Sequence, residues 1–145
     1  MKLKISSPTK TIFEGEIKQI TLPTEIGEVS ILPGHAPMVT ALKPGIIKII
    51  PEKQVSTSEF IFSKNTISLS VSKGMAFVDG KIVRVVTAIA TTGLSESAKD
   101  LEDRKSKLEE EIKQLKKQGS IEEIEKSLIQ LEKINADIKL KKLKS

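Results

Sequence analysis

The chain has 145 residues, 38% of them hydrophobic and only 3% aromatic, with a formal net charge of +5. That length holds one or two small domains. The absence of cysteine excludes disulfides, thiolate catalysis and cysteine-based metal sites. Two arginines, and no Tyr or Trp for base stacking, argue against a nucleic-acid partner.

In chain order, Leu3 and Ile5 alternate with lysines, as in a half-buried strand. The start lacks the apolar stretch of a secretory signal and the Arg/Ser bias of a transit peptide. No apolar run approaches the ~18 residues of a membrane span, so the expectation is a protein soluble where it is made. All six prolines, Pro8, Pro23, Pro33, Pro37, Pro44 and Pro51, precede residue 52, which excludes long helices there. The run 27–39 places glycines, prolines and the single histidine, His35, between strand-like segments, so a constrained exposed loop is predicted. Phe60 and Phe62 alternate, and Thr66–Val71 alternates for six residues, again as a half-buried strand. Gly74–Val78 and Ile82–Val86 flank Asp79-Gly80, a strong hairpin signal. With four Phe as the only aromatics, Ile, Val and Leu must fill the core.

The pattern then changes. Residues 1–94 carry 11 basic and 7 acidic residues, whereas residues 95–145 carry 13 and 12 in half the length. This charge step marks a domain boundary, with a sandwich over 1–88, a linker over 89–94 and a helical hairpin over 95–145. Leu94, Ala98, Leu101, Leu108, Ile112 and Leu115 form one helical stripe, interrupted by Lys105. The first helix is expected to start near Ser95 or Ser97 and to stop at a left-handed Gly119. Ser120 with Glu123 reads as a capping box for the second. Its stripe runs through Ile121, Ile124, Leu128, Leu131, Ile134 and Ile138, with Asn135 and Lys142 weakening the far end. The short connection makes the helices antiparallel neighbours. Such a pair is marginal alone, so it must dock on the sandwich, dock on a partner, or switch between them.

No catalytic constellation is present. His35 is the single histidine and so the one candidate imidazole base, no Ser lies in a Gly-x-Ser-x-Gly turn, and there is no Walker-type loop. A local hydrogen bond is the simplest role for His35.

The motif Gly27-Glu28-Val29-Ser30-Ile31-Leu32-Pro33-Gly34-His35-Ala36-Pro37, followed by Leu42-Lys43-Pro44-Gly45, resembles the signature of the ε subunit of F-type ATP synthases. The order of a β-rich region and then a helical pair matches over the whole chain. The resemblance implies a flattened β-sandwich of about ten strands followed by an antiparallel two-helix hairpin. It implies a non-catalytic rotor subunit, peripheral on the cytoplasmic face of the plasma membrane, with γ, the c-ring and, when the helices extend, α/β as partners. It places Glu28 and His35 against the c-ring, within a loop that includes Gly27, Leu32, Pro33, Gly34, Ala36 and Pro37. The nucleotide motif that some members carry is degraded here to Leu101, Glu102, Lys105 and Ser106, with Asp103 and Arg104 one step out of place. No cofactor is therefore expected, and ATP binding is doubtful because a point charge replaces a guanidinium fork. The basic end, Lys139, Lys141, Lys142 and Lys144, complements the dipole of its helix, and the resemblance implies docking on acidic stator loops. The rival readings are a sandwich-plus-coiled-coil adaptor of another complex and a small enzyme using His35.

Overall fold

The computed structural model describes residues 1–53, 61–63, 65–91 and 98–143. The predicted roles of Phe60, Leu94, Ser95, Ser97, Lys144 and the Phe62 side chain lie outside the described residues. Ten strands precede two helices: β1 Lys2–Ser6, β2 Thr11–Thr24, β3 Gly27–Ile31, β4 Met38–Leu42, β5 Gly45–Pro51, β6 Ile61–Ser63, β7 Thr66–Val71, β8 Gly74–Val78, β9 Ile82–Thr87, β10 Ala90–Thr91, α1 Ala98–Gln118 and α2 Ile121–Leu143. The sheet thus runs on to Thr91, and β10 occupies part of the segment read as a linker.

One hydrogen-bonded sheet folds on itself in the order β1-β9-β8-β4-β2-β5-β7-β10, with β3 on β2 and β6 on β7. The 14-residue β2 makes this closure. Its first half pairs with β1 and its second half with β3 and β5, with a register shift between Ile17 and Gln19. Strand β1 also pairs in parallel with β9. Two layers form, and their facing residues make one core. It contains Leu3, Ile5, Ile17, Ile20, Leu22, Ile47, Ile49, Ile67, Leu69, Val83 and Val85, with Phe13 at its margin. Each such aliphatic side chain contributes about 1.5–3 kcal/mol by leaving water. The aliphatic core expected from composition is present.

Strand β7 departs from expectation. It is buried on both faces rather than one: Ile67, Leu69 and Val71 enter the core, while Ser68 and Ser70 are also buried. The cause is α2, which packs across β5 and β7 on the outside of the sheet. The hairpin is therefore docked on the sandwich.

The helices follow the predicted order, with two corrections. Gly119 does not take a left-handed conformation; positive φ occurs at Gly27, Gly34 and Gly80. Its N–H instead continues the helical ladder to the Leu115 carbonyl at 2.5 Å. An added Cβ would meet the Leu115 carbonyl oxygen at 2.8 Å, a backbone atom that cannot swing away, so close packing selects glycine here. Ser120 does cap α2, its Oγ accepting from the Glu123 N–H at 3.2 Å.

The second correction concerns the stripes. Leu108, Ile112 and Ile134 pack together, flanked by Leu131 and Ile138, and this is the helix–helix seam. Ala98, Ile121 and Leu128 are exposed, so the seam is shorter than the stripes suggest. Helix α2 also has a second buried face, made of Lys133, Ala136, Asp137 and Leu140. That face meets the sandwich. Leu140 joins Leu101 in a small cluster against Ile46 of β5.

Candidate partner-binding surfaces

The motif loop begins with a tight turn over Leu32–His35. The His35 N–H donates to the Leu32 carbonyl at 3.1 Å, and Gly34 sits at φ +83. Pro at the second position and a left-handed Gly at the third are what a type II turn requires. Gly34 then donates to the carbonyl of Gly80 at 3.2 Å, which ties the loop to the β8–β9 hairpin. In that hairpin the Asp79 carboxylate accepts from the N–H groups of Ile82 at 2.8 Å and Lys81 at 3.0 Å. Those two bonds favour the charged form and hold the Asp79 carboxyl below its ordinary pKa.

His35 is half-buried and its Nδ1 lies 2.7 Å from the Ala36 carbonyl, the local bond expected of a loop imidazole. Leu32, Pro33, Ala36 and Pro37 are exposed around it. Glu28 stands elsewhere. It is the second residue of β3, beside the β2–β3 tip, where Gly27 takes φ +113 and Thr24 Oγ1 donates to its carbonyl at 2.6 Å. Strands rise about 3.3 Å per residue, so Glu28 and His35 lie near opposite ends of β3. They can share one rim only as a strip along that strand. Glu28 lines a groove of about 730 Å³ with Lys43, Lys48, Glu132, Lys139 and Lys142. The Lys43-Pro44-Gly45 step closes the groove floor: Lys43 donates to the Pro23 carbonyl at 3.0 Å, and a Cβ on Gly45 would meet Pro23 Cβ at 2.7 Å.

The degraded nucleotide motif is split by burial. Leu101 belongs to the small cluster with Leu140 and Ile46, Glu102 and Ser106 are exposed, and Lys105 is half-buried. Of the basic end, Lys139 and Lys142 are exposed and Lys141 is half-buried. Among the described residues, no three His, Cys, Asp or Glu side chains converge as a metal site would need.

The two outer faces of the sandwich differ, and sequence reading missed both. On one, Val39, Phe77, Arg84 and Lys4 lie in a row across β4, β8, β9 and β1, and Ala41, Met75, Val86 and Ser6 form the next row. Val39 is 63%, Val86 45% and Phe77 43% exposed. These side chains leave an apolar surface with basic residues at one side, the kind of surface that marks contact sites in other proteins. Its signal was the β8 alternation, which puts Ala76 inward and Phe77 outward, the reverse of a self-sufficient sheet. On the other face, Ile46, Ser70 and Thr91 form a row across β5, β7 and β10. This more polar face is the one that α2 covers. Lys133 Nζ donates to Asp137 Oδ1 at 2.5 Å, Thr91 Oγ1 at 2.9 Å and Ser70 Oγ at 3.2 Å, and Ser70 donates to Asp137.

The chain is similar to known proteins in sequence and in fold. The family of the ATP synthase Delta/Epsilon chain beta-sandwich domain matches residues 1–93. An ATP synthase epsilon chain of Rickettsia bellii is 33% identical over 114 residues, covering 77% of this chain and 96% of that protein. One of Bordetella petrii is 33% identical over 136 residues, covering 90% and 86%. A chain in the Euglena gracilis mitochondrial ATP synthase (OSCP/F1/c-ring) superposes with a TM-score of 0.70 at 22% identity, covering 92% of this chain and 76% of that one. With this sandwich, this hairpin and these relatives, the chain belongs to the epsilon-chain family of ATP synthases, a non-catalytic accessory subunit of the complex.

Proposed function

We propose that this chain is the rotor coupling subunit of an F-type ATP synthase, at the cytoplasmic face of the plasma membrane. The sandwich, residues 1–88, joins γ to the c-ring. The hairpin, 95–145, restrains ATP hydrolysis when it extends toward α/β. One observation carries the reading: the open sheet face is apolar at Val39, Met75, Phe77 and Val86, while the helices cover the polar face. A sheet that leaves its apolar side unpaired is built for a permanent partner, and in this family reading γ is that partner. Two solved chains of like fold support the same placement, one from an OSCP/F1/c-ring assembly of Euglena gracilis and one from a central stalk/c-ring assembly of Tetrahymena thermophila.

The test is co-expression with γ. Wild-type chain is retained on tagged γ. Phe77→Glu with Val86→Glu is retained at least tenfold less, with an unchanged circular dichroism spectrum. Equal retention would overturn the assignment of this face. The rim is tested by Glu28→Cys and His35→Cys crosslinking to cysteines in the c-ring loops; crosslinks to α or β alone would refute it. Deleting residues 93–145 should raise ATP hydrolysis by the assembled enzyme and leave synthesis largely intact. Changing Lys139, Lys141, Lys142 and Lys144 to Gln gives part of that rise, more clearly at low salt. With Glu102 and Lys105 in the nucleotide motif, ATP binding by the isolated chain stays weaker than millimolar.

A further inference from the structure

Helix α2 docks through a charge pair that it carries itself. Lys133 and Asp137 are four residues apart on one helix turn, and both are buried. The ammonium has three donors and all three are used, on Asp137, Ser70 and Thr91. Ser70 completes the ring by donating to Asp137. Among the described residues no buried side-chain polar atom lacks a partner.

We propose that this pair is the release catch of the helical hairpin: a self-neutralised polar dock, seated on Ser70 and Thr91, that lets α2 leave the sandwich and return in one register. This deepens the regulatory reading of the hairpin and rests on it only for the consequence in the assembled enzyme.

The argument is one of differences between docked and free states. An ion pair split between helix and sheet would be broken on release. Here both charges stay on α2, so their attraction survives undocking at the i,i+4 spacing. Release also returns both ions to water, which recovers the hydration lost on burial. What is given up is three hydrogen bonds to two hydroxyls, which water replaces, plus the small Leu101–Leu140–Ile46 cluster. An apolar face of the same size would have to stay exposed, and would hold the hairpin shut. The docked register is nevertheless specific. A shift of α2 by one residue would bury the charges away from both hydroxyls, as polar groups in helix seams do when they set register.

The experiment uses the full chain, which has no cysteine of its own. Spin labels at Lys48→Cys on β5 and Lys126→Cys on α2, both exposed, report docking as a distance distribution. The wild type gives mainly the short distance. Asp137→Asn, which leaves a buried ammonium without its counter-charge, raises the long-distance population at least tenfold. Ser70→Ala, which keeps both charges, raises it about threefold. Lys133→Met with Asp137→Leu and Ser70→Ala lowers it to or below the wild-type level. Hydrogen-exchange protection of β1, β8 and β9, remote from α2, stays unchanged in each and shows that the sandwich is folded. An unchanged distribution in Asp137→Asn and Ser70→Ala overturns the catch, as does opening of the apolar triple variant to the Asp137→Asn level. Shifted distances with unchanged ATP hydrolysis uphold the catch and overturn the inhibitory reading alone.

Discussion

The N–H of Gly34 donates to the carbonyl of Gly80 across 3.2 Å, so the motif loop and the β8–β9 hairpin are held as one rigid corner. Both glycines have positive φ, +83 and +95. Left-handed backbone costs an ordinary residue about 1–2 kcal/mol. Gly34→Ala and Gly80→Ala are each expected to lower stability by about that amount in urea unfolding. The two losses should be similar, because a new Cβ meets nothing within 4 Å at Gly34 and only an ordinary contact with the His35 carbonyl, at 3.4 Å, at Gly80.

The same corner has a pH signature. Backbone hydrogen bonds from Ile82 and Lys81 hold the Asp79 pKa below its unfolded value. A depressed carboxyl contributes stability that is complete above the unfolded pKa and is lost as pH falls through the folded one. The wild type should therefore be more stable than Asp79→Ala at pH 7, with the gap closing only in acid, below the usual carboxylate range. Thermal midpoints of the two proteins from pH 7 to pH 2 measure this; a gap that closes near neutrality would contradict it.

Glycine substitutions in two strands should have opposite signs. A Cβ on Gly74 would lie 2.2 Å from the Val86 carbonyl, a backbone atom that cannot swing away. Gly74→Ala is expected to cost about 3 kcal/mol, the upper range for overpacking. At Gly15 the nearest atoms are those of Phe13, at 3.7 and 3.8 Å, an ordinary contact. Gly15→Ala is expected to be neutral or stabilising by up to about 1 kcal/mol, through the lower entropy of the unfolded chain. Chemical denaturation of both variants decides.

The two ends of α2 should also respond differently. Ile134 is buried in the helix–helix seam, whereas Ile121 is 75% exposed. Ile134→Ala is expected to cost about 2–4 kcal/mol of hairpin stability by cavity formation, and Ile121→Ala under about 0.5 kcal/mol. Hydrogen exchange of α1 amides reads both.

The sequence by itself determined most of what short-range chemistry controls, the left-handed stop read at Gly119 being the exception. Pro33-Gly34 specifies its turn, Asp79-Gly80 its hairpin and Ser120 its helix cap, because each needs only backbone preferences and one neighbouring side chain. The switch from a period of two to a helical period placed strands before helices, and the Leu-Pro-Gly-His run carried the family. Tertiary structure decided which side of each element meets what. A period of two defines two faces of β7 and β8 without saying that Ser70 is covered and Phe77 open. A lysine and an aspartate four apart on a helix ordinarily stand in water. They are buried here because Ser70 and Thr91, 63 and 42 residues away from Lys133, supply the hydrogen bonds that water would otherwise make. That compensation exists only once the sheet has closed and α2 lies across it.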